Sequence, residues 1–226
     1  MSWARIAAPV ARATVALDSA DSDWVKAHGD SGGEMLVMGS TGRLEAGPAD
    51  LMIYRYTGTD SPTGDQLIRA NVHTGTSTEE HFQLMVRVGS TGSGYVATWR
   101  PVLGVVRLYR VAVGVSVSAT LLETATATVL VSTTYLMTLK VTGTNPCVLT
   151  LSDNVNGELI SYDDSNASRA TSGYPGLYFN AANNLTGDTS PAWVDNLQIE
   201  DWSSGAGVLV YGNNFDSVGW NKLSPP

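Results

Sequence analysis

The 226-residue chain is short of cysteine, of lysine and of positive charge in general, and each shortage excludes something. Cys147 is the only cysteine, and it shares strand parity with Leu149 and Leu151, which points to a buried, inert thiol. A chain of this length buries roughly 70% of the surface its unfolded form exposes, so it needs neither disulfide nor metal merely to have a core. The lysines are Lys26, Lys140 and Lys222, and 13 basic residues stand against 21 acidic ones, giving a net charge of −8. That balance argues against a nucleic-acid backbone or an anionic membrane as partner. No apolar run approaches the roughly 18 residues of a membrane-spanning helix. The opening MSWARIAAPVARATVALD is broken by Arg5, Pro9 and Arg12, so no secretory leader is expected from it. Helix-period hydrophobicity is absent from every segment of useful length.

What is present is strand. In Glu80 to Arg110, Phe82, Leu84, Val86 and Val88 alternate with Gln83, Met85 and Arg87, the period of a strand with one buried face. GSTGSG at 89–94 supplies a tight reversal, Tyr95 to Trp99 resumes β-prone sequence, and Pro101 and Gly104 punctuate before Val105 to Tyr109. The expectation is an antiparallel meander. Similar runs occur at 13–18, 33–38, 42–45, 51–56, 66–73, 135–142, 147–152, 159–162, 177–180, 193–200 and 208–211, with turn residues between them. Many short strands with turn signals every ten or so residues predict an all-β sandwich or jelly roll. Residues 1–12 read as an N-terminal arm, 13–204 as the domain, and 205–226 as a short strand and tail. The arms carry Trp3, Phe215 and Trp220, large apolar groups where mobile polar sequence is usual, so they are expected to dock on other subunits.

SGYVATW at 93–99, RLYRVAVG at 107–114, YLMTLKVTG at 135–143, VLTLSDNVNGELISYDD at 148–164, TSGYPGL at 171–177 and WVDNLQIED at 193–201 follow one another in an order that resembles the concanavalin A-like lectin/glucanase superfamily. The likeness is to its laminin-G-like jelly rolls, of the kind found in bacterial exported proteins and phage virion proteins, and it covers about residues 13–202. It implies two stacked antiparallel sheets, one concave, often a bound Ca2+ and often a glycan. It does not imply catalysis, since fold is a poor guide to reaction.

The residues bear on that directly. Glucanase-type hydrolysis needs an acid pair on one strand, and Glu34, Glu45, Glu123, Glu158 and Glu200 are isolated. Glu79 and Glu80 are adjacent and would face opposite ways on a strand; RANVH at 69–73 and Tyr95 only faintly echo the lyases of the fold. No nucleophile elbow links Ser, His and Asp. The polar side of the strands is more informative. By parity Arg69, Asn71, His73, Gln83 and Arg87 leave the core together, with Tyr95 or Trp99 at an edge: guanidinium, amide and aromatic groups suited to sugar hydroxyls and C–H faces. A glycan site, a protein interface and a solvated face all fit that pattern. Asp195 shares parity with Leu197 and Ile199 and so points coreward, where a carboxylate needs donors or a cation. In the resembling family such an Asp-Asn strand helps hold calcium, with oxygens here from Asp18, Asp21 or Asp23; hydrogen bonds to loop amides are the alternative.

The functional expectation is a non-enzymatic, lectin-like structural protein. A phage virion component comes first, in decoration or tail, multimeric within its assembly and located on the particle or outside the cell. A free carbohydrate-binding or adhesion module of a bacterial surface protein is the alternative, and a glycan hydrolase or lyase the third.

Overall fold

The alternating runs become strands, and one turn of α-helix, Leu17–Ala20, is the only helix longer than a 3-10 turn among the described residues. These residues, in a computed structural model, are 15–29, 34–38, 43–46, 51–74, 81–114, 116–180 and 192–213. Trp3, Phe215 and Trp220, and with them the expected arms, lie outside this set. The strands form two antiparallel sheets stacked as a jelly-roll sandwich.

Sheet A joins β1 (Val15–Ala16), β3 (Met35–Met38), β4 (Arg43–Ala46), β15 (Trp193–Asp201), β6 (Gln66–Thr74), β11 (Thr133–Thr142), β12 (Cys147–Asp153) and β13 (Gly157–Asp164) in that order. β16 (Val208–Asn213) pairs with β15, so this segment is part of the sheet and not of a tail. Sheet B runs β10 (Val117–Thr126), β9 (Val105–Val113), β8 (Gly94–Arg100), β7 (His81–Val88), β14 (Tyr174–Asn180), β5 (Leu51–Tyr56) and β2 (Trp24–Gly29). The meander expected over 80–110 is β7 to β9, and β10 continues it. The sequence reading missed β2 altogether and extended the first strand through what is a helical turn.

Between the sheets lie Ile68, Ala70, Val72, Tyr135, Met137, Leu139 and Val141 from sheet A, facing Leu84, Val86, Ala97, Trp99, Val106 and Leu108 from sheet B. Burying each such Leu, Val or Ile side chain stabilises the fold by roughly 1.5–3 kcal/mol. Cys147 is buried among them, as its parity required.

Of the bulges in the two sheets, two reverse a residue singled out in the sequence. At Arg87 the backbone is left-handed (φ 54°) and the β7–β14 register slips between Tyr174 and Gly176. Arg87 therefore turns inward and Val88 outward, reversing what parity predicts. Gly173 makes room: a Cβ there would collide with the Arg87 carbonyl group. At Asn196 (φ 50°) the β15–β6 register slips between Asp195 and Gln198. Val194 thus packs inward with Leu197 and Ile199, and Asp195, paired opposite Asn71, faces out of the sandwich.

Sheet B is curved. Gly92, in the β7–β8 turn at φ +95°, sits so that a Cβ would lie 3.0 Å from His28 Cβ, 3.0 Å from Ile53 Cδ1 and 3.5 Å from Val113 Cγ2. Ile53 is on β5 and Val113 on β9, strands that a flat sheet would hold about 19 Å apart. Both side chains reach one point only if the sheet curls toward its outer side. That outer face is concave.

Candidate functional site

The residues expected to share one polar surface are divided among three places. Arg69, Asn71 and His73 stand on the outer face of sheet A, on β6. Gln83 stands on the concave face of sheet B. Arg87, Tyr95 and Trp99 are at most 1% exposed and belong to the interior, so their assignment to a ligand surface is corrected.

Each interior group is held by a closed set of partners. The Arg87 guanidinium donates to the carbonyls of Gly64 (3.2 Å), Ala170 (3.0 Å) and Gly143 (2.5 Å), to Cys147 Sγ (2.7 Å) and to Asp65 Oδ1 (3.4 Å). It ties the end of β7 to loops of the opposite sheet. Tyr95 Oη donates to Asp164 Oδ2 at 2.8 Å, and Arg110 Nη1 donates to the same oxygen at 2.9 Å. Burial, then the Asp164 carboxylate, pushes the Tyr95 phenol well above its usual range. Trp99 Nε1 donates to Asp153 Oδ2 at 3.3 Å. None of these groups is available to a ligand.

On the outer face of sheet A the polar groups mostly serve one another. Arg69 Nε donates to Gln198 Oε1 at 2.7 Å, and its Nη2 pairs with Glu200 at 2.9 Å. The His73 ring stacks on Trp193 with centroids 4.8 Å apart and planes 5° from parallel, and its Nδ1 lies 3.1 Å from Thr134 Oγ1. Lys140 Nζ lies 3.3 Å above the Trp202 ring, whose Nε1 donates to Glu200.

The concave face of sheet B differs in kind. Tyr178 pairs with Gln83, Leu84 with Ala97, and Thr98 with Arg107, so Tyr178, Gln83, Thr98 and Arg107 form a row across β14, β7, β8 and β9. The next row holds Arg55, Gly176, Met85, Val96 and Tyr109. Ile53, Met85, Val88, Val96 and Val111, at most 3% exposed, form a second hydrophobic cluster separate from the interior, and Gly92 of the β7–β8 turn packs over Ile53 and Val113. Gln83 is 9% and Thr98 4% exposed, yet among the described residues neither side chain has a hydrogen-bond partner. The Nε atoms of Arg55 and Arg107 are likewise buried and unpartnered. Arg107 Nη1 donates to Tyr109 Oη at 3.3 Å, and the Arg55 guanidinium lies 5.1 Å from the Tyr174 ring centroid. A buried polar atom left without a partner costs about 1–3 kcal/mol, so the two arginine Nε atoms on one concave surface point to something outside the chain that satisfies them.

Sequence reasoning found only Gln83 of this row. The alternation of Thr98 with Ala97 and Trp99, and of Arg107 with Val106 and Leu108, was legible; the curvature that gathers them was not.

The expected calcium set is not assembled. Asp195 faces out of sheet A, and β3 and β4 separate its strand from β1, which leads into the helical turn of Asp18. Asp18 is exposed, and Asp21 accepts bonds from the Asp23 amide (3.0 Å) and Tyr211 Oη (3.4 Å). Among the described residues no three His, Cys, Asp or Glu side chains group as cation ligands.

No protein-family model and no curated protein matches the chain. Solved structures do, at low identity. A carbohydrate-binding module, CBM66, from Bacillus subtilis is similar over 79% of this chain and 96% of its own, with 14% identity and a TM-score of 0.56. A protein of unknown function with a galectin-like fold, also from Bacillus subtilis, is similar over 79% and 89%, with 12% identity and a TM-score of 0.50. The fold is therefore the lectin-type jelly roll that the order of motifs implied.

Proposed function

We propose that this chain is a non-enzymatic, lectin-like glycan-binding module whose site is the concave face of sheet B. The observation that carries the reading is the row of Gln83, Thr98 and Arg107: an amide, a hydroxyl and a guanidinium side by side, with hydrogen-bonding capacity that the described residues leave unused. Tyr109 and Tyr178 add aromatic rings of the kind that pack on sugar C–H faces. The carbohydrate-binding neighbour supports the reading by its fold. Among the described residues the strands of sheet B hold one acidic residue, Glu123 on edge strand β10, and so no carboxylate pair for glycoside hydrolysis. A single shallow site of this sort binds weakly, so adhesion would come from many copies. The finer reading is a phage-particle component whose segments 1–12 and 212–226 dock on other subunits. It rests on the motif resemblance and on Trp3, Phe215 and Trp220, and absence of the protein from purified virions would end it. The lectin reading is tested on a glycan array with a multivalent display of the protein. Binding that Gln83→Ala abolishes while the melting temperature holds is expected; an array without signal overturns it.

A further inference from the structure

The chain is acidic, but the acid is kept off one sheet. β2, β5, β7, β8, β9 and β14 contain no Asp or Glu, while they carry Lys26, Arg55, Arg87, Arg100, Arg107 and Arg110. The one acidic residue of sheet B, Glu123 on edge strand β10, is in register with Leu108, whose side chain enters the core, and its carboxylate accepts the Thr124 amide at 3.0 Å. Arg87 turns inward, and so does Arg110, to Asp164. Arg55, Arg100 and Arg107 stand on the concave side, by their alternation with Tyr54, Trp99 and Leu108.

Arginines on an acidic protein normally find carboxylates, as Arg69 finds Glu200 and Arg110 finds Asp164. Among the described residues Arg55 and Arg107 have none: they meet the Tyr174 ring and the Tyr109 hydroxyl, and each keeps a buried Nε–H without an acceptor. A guanidinium with free, partly desolvated donors is a fork for a planar or tetrahedral oxyanion, and its bonds to an ionised acceptor are roughly twice as strong as neutral ones. Concave walls of one charge sign concentrate the field on such a ligand. Between the two arginines, Gln83 and Thr98 offer a donor–acceptor pair for uncharged hydroxyls.

We infer that the ligand of the concave face is an anionic glycan, one whose carboxylate or sulfate is taken by Arg107 or Arg55 while its ring hydroxyls meet Gln83 and Thr98. This rests on the lectin reading and narrows it to a chemical class. Carboxylate and sulfate share the recognising chemistry, and the test separates them.

The experiment is an array of matched pairs: sialylated and desialylated, uronate-ended and glucose-ended, sulfated and unsulfated forms of the same glycans. Wild-type protein is compared with Arg107→Gln, Arg55→Gln and Gln83→Ala at low and high salt. Expected is at least about a tenfold preference for the acidic member in the sialylated and uronate pairs, in the sulfated pair, or in both, weakened by salt and lost in the arginine variants. Melting temperatures should be unchanged, because both arginines are only half-buried. Equal binding of acidic and neutral members, with Gln83→Ala still disruptive, overturns the anionic inference and leaves the lectin reading standing. Acid preference that survives both arginine exchanges overturns the assignment to this face. No binding to any pair removes the lectin reading and this inference with it.

Discussion

Replacing Arg87 by methionine keeps most of the side chain's volume and removes its donors, and the structure says how much that should cost. The guanidinium is fully buried and serves the carbonyls of Gly64, Gly143 and Ala170, each of which would be left without that donor. Gly64 keeps a bond from Gln66 Nε2, Ala170 keeps one from Cys147 Sγ and Gly143 is exposed to water, so the cost stays near that of a single unsatisfied acceptor, about 1–3 kcal/mol. The ion pair with Asp65 adds little: it spans 3.4 Å and the Asp65 side chain is 30% exposed, so solvent screens it. Exchanging the guanidinium for an apolar group of similar volume leaves no buried charge behind, so the predicted loss is about 1–3 kcal/mol. Urea unfolding at neutral pH measures it. The backbone supplies an internal control, because φ is 54° at this residue. Arg87→Gly should be less damaging than Arg87→Ala by about 1 kcal/mol, the strain a Cβ brings in the left-handed region. An arginine on an open sheet face would cost under about 1 kcal/mol to remove. A loss that small for Arg87→Met would refute the argument.

Alkaline pH should unfold the protein rather than titrate its buried tyrosines. Burial and nearby carboxylates raise the phenols of Tyr95 and Tyr56 well above the usual value of 10.0 and that of Tyr54 to about 12, chiefly by burial and then by Asp18. A raised folded pKa contributes stability that is whole below pH 10.0 and is lost as pH climbs toward the folded values, because the unfolded chain releases those protons first. Tyrosinate absorbance from these three should therefore rise only together with the loss of circular dichroism; ionisation in an intact fold would be contrary. Asp195→Ala should shift the melting temperature equally with calcium and with chelator, since its carboxylate faces away from Asp18 and Asp21. A calcium-dependent difference would restore Asp195 to a cation site.

Period-two alternation carried most of the fold, because nearly every strand has one face in the sandwich and a slip of one residue would expose its whole apolar set. β11 and β12 follow it throughout, and β6 does so from Ile68 on. It failed where the backbone enters the left-handed region at a residue other than glycine. Arg87 gave no sign of this in the sequence, since arginine is not a residue chosen for positive φ and Gly173, which makes room for its carbonyl, is distant in the chain. Asn196 is of a type that tolerates the left-handed region, but nothing in WVDNLQIED marks a bulge at it. The reversed orientations of Arg87, expected at the surface, and of Asp195, expected in the core, descend from those two bulges. Tyr95 and Trp99 share a face as their spacing required, but it is the inner one; a buried tyrosine or tryptophan is permitted there because Asp164 and Asp153 take its polar hydrogen. Division of the polar residues between two sheets was illegible for another reason. β6 and β7 are consecutive and look like a hairpin, yet they belong to opposite sheets, and that crossover is set by tertiary packing.

The central claim, that the concave face of sheet B and not the outer face of sheet A takes the ligand, is tested most directly by one nuclear magnetic resonance titration. Side-chain N–H signals report separately on the two surfaces: the Gln83 amide and Arg107 Nε–H on sheet B, the Asn71 amide and the Trp193 and Trp202 indoles on sheet A. With a glycan that binds on the array, the account predicts saturable shifts of Gln83 and Arg107 while Asn71, Trp193 and Trp202 stay still. Shifts confined to Asn71, Trp193 and Trp202 would contradict it.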